Sequence, residues 1–525
     1  MKILAVSLLR LGDIFLHQQI IKDTLSSYPG SKIDLVINSQ FSNVRPILHT
    51  VENVHLFPRL GLQRELIEDS GSLFRAKNVL EKFVKKLNDE KYDLILDLTH
   101  TFVSQRLIEM IDASSKTKSQ LGYLNNIFSL AHSTRLHYVE ALRDSLGLQK
   151  NAEAPRVEIR KNKKISIQPL TSDEKKNWGL ISYRRLADIL AKALPEYQLV
   201  VLGAPFEEKI LRAHFEETEN LKIEILSLED LEFHLWDTGL LISGDTATLH
   251  LAALSRTPVV GLYLGSADPH KTAPWVDGAI IFHAIESCSP CAHSMACSQT
   301  THLCAENFLA ESVANSIHDL LVGGMSALQK TSINKEFSIF LQSRTQVGDL
   351  LLVDLASAEE TFKNFTGKLA WRQIKGEENV NWGEKIIHQF RDQLLDLAVH
   401  AKEESVVIRN QGKILYELEN WLQEISRSLL LSQEQLEDAG ADILPFEIGV
   451  REWSRISGEG EISSLLVELQ NEFAGTNRFS FYKKAKWTLA LISQFLSSKH
   501  MIYENLKCQL IERGYNYVSG PGKLS

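Results

Sequence analysis

Two stretches of this chain place a carboxylate where an apolar run gives way to a helical pattern. Arg10-Leu11-Gly12-Asp13 follows the run Ile3 to Leu9, and Ser243-Gly244-Asp245-Thr246-Ala247-Thr248-Leu249-His250 follows Leu240-Leu241-Ile242. A carboxylate at such a turn can cap the coming helix, or it can face a ligand as a general base. The second stretch adds a different chemistry. The first amides of a helix have no intrahelical partner, and with the partial positive charge at that end they suit a diphosphate, here at Thr246, Ala247 and Thr248. His250 reads either as an ordinary buried histidine or as part of that site. Lys176 is a candidate counter-charge for phosphate, although Lys163, Lys164 and Lys175 lie near it and a solvated surface lysine is the competing reading.

Four of the five cysteines, Cys288, Cys291, Cys297 and Cys304, follow the spacing C-x2-C-x5-C-x6-C, while Cys508 stands apart. Four thiolates so close in sequence suffice for a tetrahedral zinc or iron ion. Reduced thiols or a disulfide are the alternatives. His283, His293 and His302 lie close enough to replace a ligand. A four-ligand ion has no open position, so the expectation is a structural zinc or iron and no cofactor for catalysis.

The elements that must hold these residues are α/β. In the first third, strands at Met1–Leu9, Lys32–Ile37 and Tyr92–Leu98 alternate with helical patterns at Asp13–Ser26 and Leu73–Glu90, as in a parallel sheet covered by helices. The polar segment Asn151–Lys164 reads as a connection. A second series follows, with strands at Ile165–Ile167, Gln198–Gly203, Leu240–Ser243 and Pro258–Gly265 and a helix at Tyr183–Leu194. Two such halves imply a cleft, because open α/β sheets bind ligands beyond the carboxyl ends of their strands. Gly323-Gly324 and the polar run Gln329–Glu336 read as a further linker. Beyond it Phe337–Leu341 and Leu350–Leu355 resemble strands, and apolar residues recur at helical spacing at Ile386, Phe390, Leu394, Leu397 and again at Ile414, Leu418, Leu422, Ile425, Leu429. The sequence thus predicts domains at 1-155 and 156-325 and a mainly helical extension at 326-525.

Bulk properties narrow the function. A chain of 525 residues is long enough for about three folding units. A net charge of −9 argues against a general nucleic-acid binder, which needs basic residues to displace counterions from phosphates. The opening apolar run is broken by Arg10, Gly12 and Asp13 before any cleavage pattern, so it reads as a strand, not a signal peptide. No stretch approaches the ~18 uncharged apolar residues of a membrane span. The expectation is a cytoplasmic protein, at most peripheral at the inner face of the cytoplasmic membrane.

Taken in order, Arg10-Leu11-Gly12-Asp13, Lys176-Asn177-Trp178 after Gln168-Pro169, Asp245-Thr246-x-x-x-His250 and Thr257-Pro258-Val259-Val260-Gly261-Leu262-Tyr263 resemble glycosyltransferase family 9, the ADP-heptose:lipopolysaccharide heptosyltransferases. The resemblance covers about residues 1-320. It implies a GT-B fold, two facing Rossmann-like domains, the first for the acceptor and the second for the nucleotide-sugar donor. Position by position, it makes Asp13 the catalytic base with Arg10 and Gly12 on the acceptor side. Lys176 becomes the lysine on the donor phosphates, Asp245 a sugar-contacting carboxylate, Thr246, Ala247 and Thr248 the phosphate cradle, and His250 the motif histidine. Ala247 departs from the family, which commonly has glycine there. A methyl group at that place would crowd a pyrophosphate or exclude a positive φ.

The activity so implied is metal-independent, inverting transfer of heptose, or a related sugar, from an ADP-sugar such as ADP-heptose to a glycan or lipid-linked glycan acceptor, for instance the inner core of lipopolysaccharide. The four-cysteine segment also resembles that of iron-holding, protein-modifying heptosyltransferases, and with the long extension it supports a protein acceptor as an alternative. A catalytically inactive GT-B scaffold is the third reading, supported by Ala247 alone.

Overall fold

The computed structural model describes residues 1–67, 72–117, 135–148, 153–286, 288–291, 297, 299–332, 336–344, 350–374, 416, 490, 492–504 and 506. The chain packs as two units, one of Met1–Leu124 with His137–Ala356 and one of Asn125–Leu136 with Ser357–Ser525.

The first unit holds two sheets. The first is built from β1 (Lys2–Ser7), α1 (Leu11–Ser27), β2 (Lys32–Asn38), β3 (Val54–Phe57), α2 (Arg59–Ile67), α3 (Leu73–Asn88), β4 (Tyr92–Asp97), α4 (Phe102–Met110), β5 (Ala113–Lys116) and α5 (Tyr138–Ser145). Its strands run parallel in the order β3-β2-β1-β4-β5. A parallel sheet is covered on both faces, so its central strands carry unbroken apolar runs. Ile3, Leu4, Ala5 and Val6 of β1 are all fully buried.

The second sheet follows with β6 (Lys164–Gln168), α6 (Leu180–Ala193), β7 (Gln198–Gly203), α7 (Glu208–His214), β8 (Leu221–Ile225), α8 (Leu228–Trp236), β9 (Leu240–Gly244), α9 (Ala247–Leu254), β10 (Val259–Tyr263), α10 (Pro269–Thr272), β11 (Ile280–Ala284), α11 (Leu303–Glu306), α12 (Ala310–Thr331), β12 (Phe337–Arg344) and β13 (Leu350–Asp354). The order is β13-β12-β11-β10-β9-β6-β7-β8, parallel except where β12 and β13 run antiparallel at one edge. Ile165, Leu199, Val201, Ile242, Val260 and Leu262 form its core with Trp178 and Leu186. Two Rossmann-like sheets of this kind make the expected GT-B architecture.

Strand order reverses beside the first strand of each sheet. Next to β1 the chain passes from β2 to β4, and next to β6 from β7 to β9. A crevice opens at the carboxyl ends of the strands at such switch points. Asp13 follows β1, Lys176 follows β6 and Asp245 follows β9.

The boundary expected at 325 is corrected by the pairing of Phe282 with Ile339 and of Leu341 with Val353, which makes β12 and β13 part of the second sheet. The glycine pair is no linker either. It lies inside α12, where Gly324 at φ +69° kinks the helix. In the second unit, α13 (Ala358–Ile374) and residues 492–504 are helical, and Thr366 Oγ1 lies 3.3 Å from Tyr503 Oη. The helical spacing expected over 386–397 and 414–429 lies outside the described residues, save Tyr416. Among the described residues no helix is long and apolar enough to cross a membrane.

Candidate active site

The amino ends of α1 and α9 meet. A side chain at Gly12 would bring its Cβ within 3.1 Å of His250 Cδ2 and 3.7 Å of the Ala247 Cα, so the two helices approach closely there and a methyl group would press on the His250 ring. The contact carries Asp13, on the turn after β1, to the side of Asp245 and His250, on the turn after β9, and the charges of both act on its carboxyl. Two carboxylates read separately from the sequence therefore share one place.

Asp13 accepts a hydrogen bond from the Arg10 amide at 3.0 Å, which caps α1. Burial raises its pKa, and the neighbouring Asp245 adds to the rise, against the Arg10 amide and the His250 and Arg10 side chains. The capping and the catalytic readings of this residue are thus compatible. Arg10 is exposed at the mouth of the turn.

Asp245 is the opposite case. Burial alone would raise it, but hydrogen bonding to His250, the Lys176 charge and the Lys176 hydrogen bond hold its carboxyl down at about 2. Lys176 Nζ donates to Asp245 Oδ2 at 2.6 Å, His250 Nε2 lies 3.5 Å from Oδ1, and Thr272 Oγ1 donates to Oδ2 at 3.4 Å. The Lys176 side chain is only 15% exposed, which decides against a free surface lysine. It sits on a single helical turn, Glu174–Lys176, capped by Asp173.

Thr246 is the N-cap of α9, its hydroxyl accepting from the Leu249 amide at 3.4 Å and lying 2.9 Å from Ser243 Oγ. Ala247 and Thr248 follow as the first helical residues, half-buried. Ala247 is absent from the positive-φ residues, so the conformational objection to alanine is removed. His250 Nδ1 is buried without a hydrogen-bond partner among the described residues.

Sequence reasoning missed the polar layer behind Asp13. His17, one helical turn further along α1, joins Ser7 Oγ (2.8 Å, at Nδ1) to Tyr138 Oη (2.7 Å, at Nε2), and Tyr138 donates to the Leu98 carbonyl at 3.3 Å. Burial and the nearby His100 drive the His17 pKa down to about 3, so its ring is neutral. Burial, with Asp13 and Asp97 beside it, pushes the Tyr138 phenol far up. Only their buried position on helices flanking a switch point would have signalled them. Thr272, the last residue of α10, was missed for the same reason.

Cys288, Cys291 and Cys297 are partly exposed and Cys304 buried, all as free thiols. Burial pushes the Cys291 thiol up, and Cys288, Cys304 and Cys297 add to the rise, so Cys291 lies within electrostatic reach of the other three. Among the described residues no group of three or more His, Cys, Asp or Glu side chains is gathered at metal-binding spacing. His293 lies outside the described residues. His302 Nε2 is buried without a hydrogen-bond partner among the described residues.

Residues 80–302 match the model of glycosyltransferase family 9 (heptosyltransferase). This part of the chain is a family 9, heptosyltransferase-like glycosyltransferase. The glycosyltransferase is 24% identical over 307 residues to lipopolysaccharide heptosyltransferase 3 of Escherichia coli K12, a match spanning 52% of this chain and 85% of that protein. Solved structures similar to it include the E. coli heptosyltransferase WaaC with ADP, at 18% identity and a TM-score of 0.48, covering 61% of this chain and 99% of that one. The E. coli ADP-heptose lipopolysaccharide heptosyltransferase II matches at 17% identity and a TM-score of 0.45, over 62% and 99% of the two chains.

Proposed function

We propose that the glycosyltransferase moves heptose, or a related sugar, from an ADP-sugar to a glycan acceptor of the lipopolysaccharide inner-core kind. The observation that carries this reading is the meeting of Asp13 with Asp245, Lys176 and His250 where α1 and α9 touch. The donor diphosphate rests on the free amides opening α9, with Lys176 as counter-charge. Asp13 takes the proton of an acceptor hydroxyl as its oxygen bonds to the anomeric carbon. The bond from that carbon to the diphosphate breaks in the same displacement, and ADP leaves with inversion. Its added negative charge is met by Lys176 and the helix amides, with no divalent ion in the step. A base with a raised pKa suits proton removal near neutral pH.

The test is ADP release from ADP-heptose with deacylated inner-core oligosaccharide, and mass spectrometry of the molecule that gains the sugar. Asp13→Ala should bind ADP by calorimetry and lose transfer. If the unaltered protein releases no ADP with oligosaccharide or with protein acceptors, the reading fails. Sugar found on protein instead of glycan would move the acceptor class. We further infer that Cys288, Cys291, Cys297 and Cys304 hold a structural zinc or iron ion, which elemental analysis of anaerobically prepared protein tests; content near zero rejects it. The place of work so proposed is the cytoplasmic side of the membrane.

A further inference from the structure

The first sheet carries a second histidine that the transfer chemistry above leaves unused. His100 lies just beyond β4, the strand paired with β1 at the switch point. It is 7% exposed, yet neither Nδ1 nor Nε2 has a hydrogen-bond partner among the described residues. Its backbone stands at φ +53°, in the left-handed region that costs a residue with a side chain conformational energy. Asp97 holds that turn by accepting from the Thr99 and His100 amides, each at 2.9 Å. Thr99 ties it to the loop leading to Asp13, accepting from the Leu8 amide at 2.7 Å and donating to the Val6 carbonyl at 3.1 Å. A buried imidazole without partners among the described residues and a strained backbone are two costs, and both are incurred at one residue on the turn that Thr99 ties to the end of β1.

We propose that His100 is an acceptor-binding residue whose ring hydrogen-bonds a hydroxyl of the incoming sugar beside Asp13. The inference rests on the transfer reading given above. Its chemistry fixes the class of group bound. Burial takes the His100 pKa down to about 4, so the ring is neutral in the working range and offers one donor and one acceptor. That pair matches a hydroxyl, which can both give and take a hydrogen bond, and it offers no charge to a phosphate. His100 acts electrostatically on His17, which places its ring within charge range of the Ser7–His17–Tyr138 network.

His100→Gly and His100→Asn test it, both compatible with the left-handed backbone. With ADP-heptose as donor and deacylated inner-core oligosaccharide as acceptor, His100→Gly should raise the acceptor KM about ten-fold, the loss of one hydrogen bond. The Kd for ADP and kcat at saturating acceptor should stay within about two-fold, and His100→Asn should recover part of the KM. A purely structural histidine would instead lower the melting temperature of the glycine variant and leave the acceptor KM alone. That result, or an unchanged KM at unchanged stability, overturns the role of His100 while leaving transfer in place. Absence of any transfer by the unaltered protein sinks the function and this inference together.

Discussion

Asp13 and Asp245 are the same residue type at the same kind of turn, and their surroundings drive them apart. For Asp13 the cost of burial wins, and its folded pKa lies above the unfolded value near 3.8. Its contribution to stability is therefore present below that value and lost as pH rises through the folded pKa. Asp13→Asn removes the charge but keeps an oxygen for the Arg10 amide. It should melt higher than the parent at pH 7 while transfer falls by roughly 10²–10⁴. The acid limb of kcat against pH should lie above the ordinary carboxylate range, since the base must be ionised to act; a limb at or below 3.8 would remove Asp13 from that role. Lys176 answers for Asp245. Lys176→Met leaves a buried carboxylate without its cation, at a cost of about 3 kcal/mol. Adding Asp245→Asn should return much of that loss in thermal melts. A single variant as stable as the parent would show that His250 and Thr272 suffice.

At the scale of elements, α1 and α9 come closest at Gly12, where a Cβ would press on the His250 ring. Gly12→Val should force the helices apart, cost about 1–3 kcal/mol and weaken ADP binding together with kcat. If donor affinity and kcat are untouched, the junction is not what assembles the site. Ala247→Gly should do little to ADP affinity, because alanine there needs no unusual backbone; a tighter Kd would mean that its methyl crowds the diphosphate after all. The strands and the two turns bearing Asp13 and Asp245 were legible, because buried parallel strands read as apolar runs and turn residues stand where those runs stop. What sequence does not carry is which polar side chain on a helix faces a switch point. His17, Tyr138 and Thr272 look like any polar residues in an amphipathic stretch until the sheet order places them. His100 has the same history, its positive φ invisible in the letters Asp-Leu-Thr-His.

For the whole molecule, acid stability follows from the carboxylate that the fold holds down. Asp245 at about 2 contributes stability that is complete above its unfolded value and lost as pH falls toward 2. The gap in melting temperature between the parent and Asp245→Asn should therefore narrow from pH 6 to pH 3; a constant gap would mean that the pair contributes through packing alone. The domain limit at 325 misread the chain because α12 ends in a polar run that imitates a linker, whereas β12 and β13 return to complete the sheet edge.

One glycine joins two parts of the second domain that sequence reading kept apart. Gly265, at φ +58°, lies so close to the Lys175 carbonyl that a Cβ there would stand 2.0 Å from its oxygen. Its own carbonyl accepts from the Cys291 amide at 2.8 Å and from Ser289 Oγ at 3.3 Å. The cysteine segment and the turn bearing Lys176 thus meet at one glycine. A side chain at this one position would press on both neighbours at once, so the packing of the cysteine segment and the placing of the Lys175-Lys176 turn share a single point of tolerance.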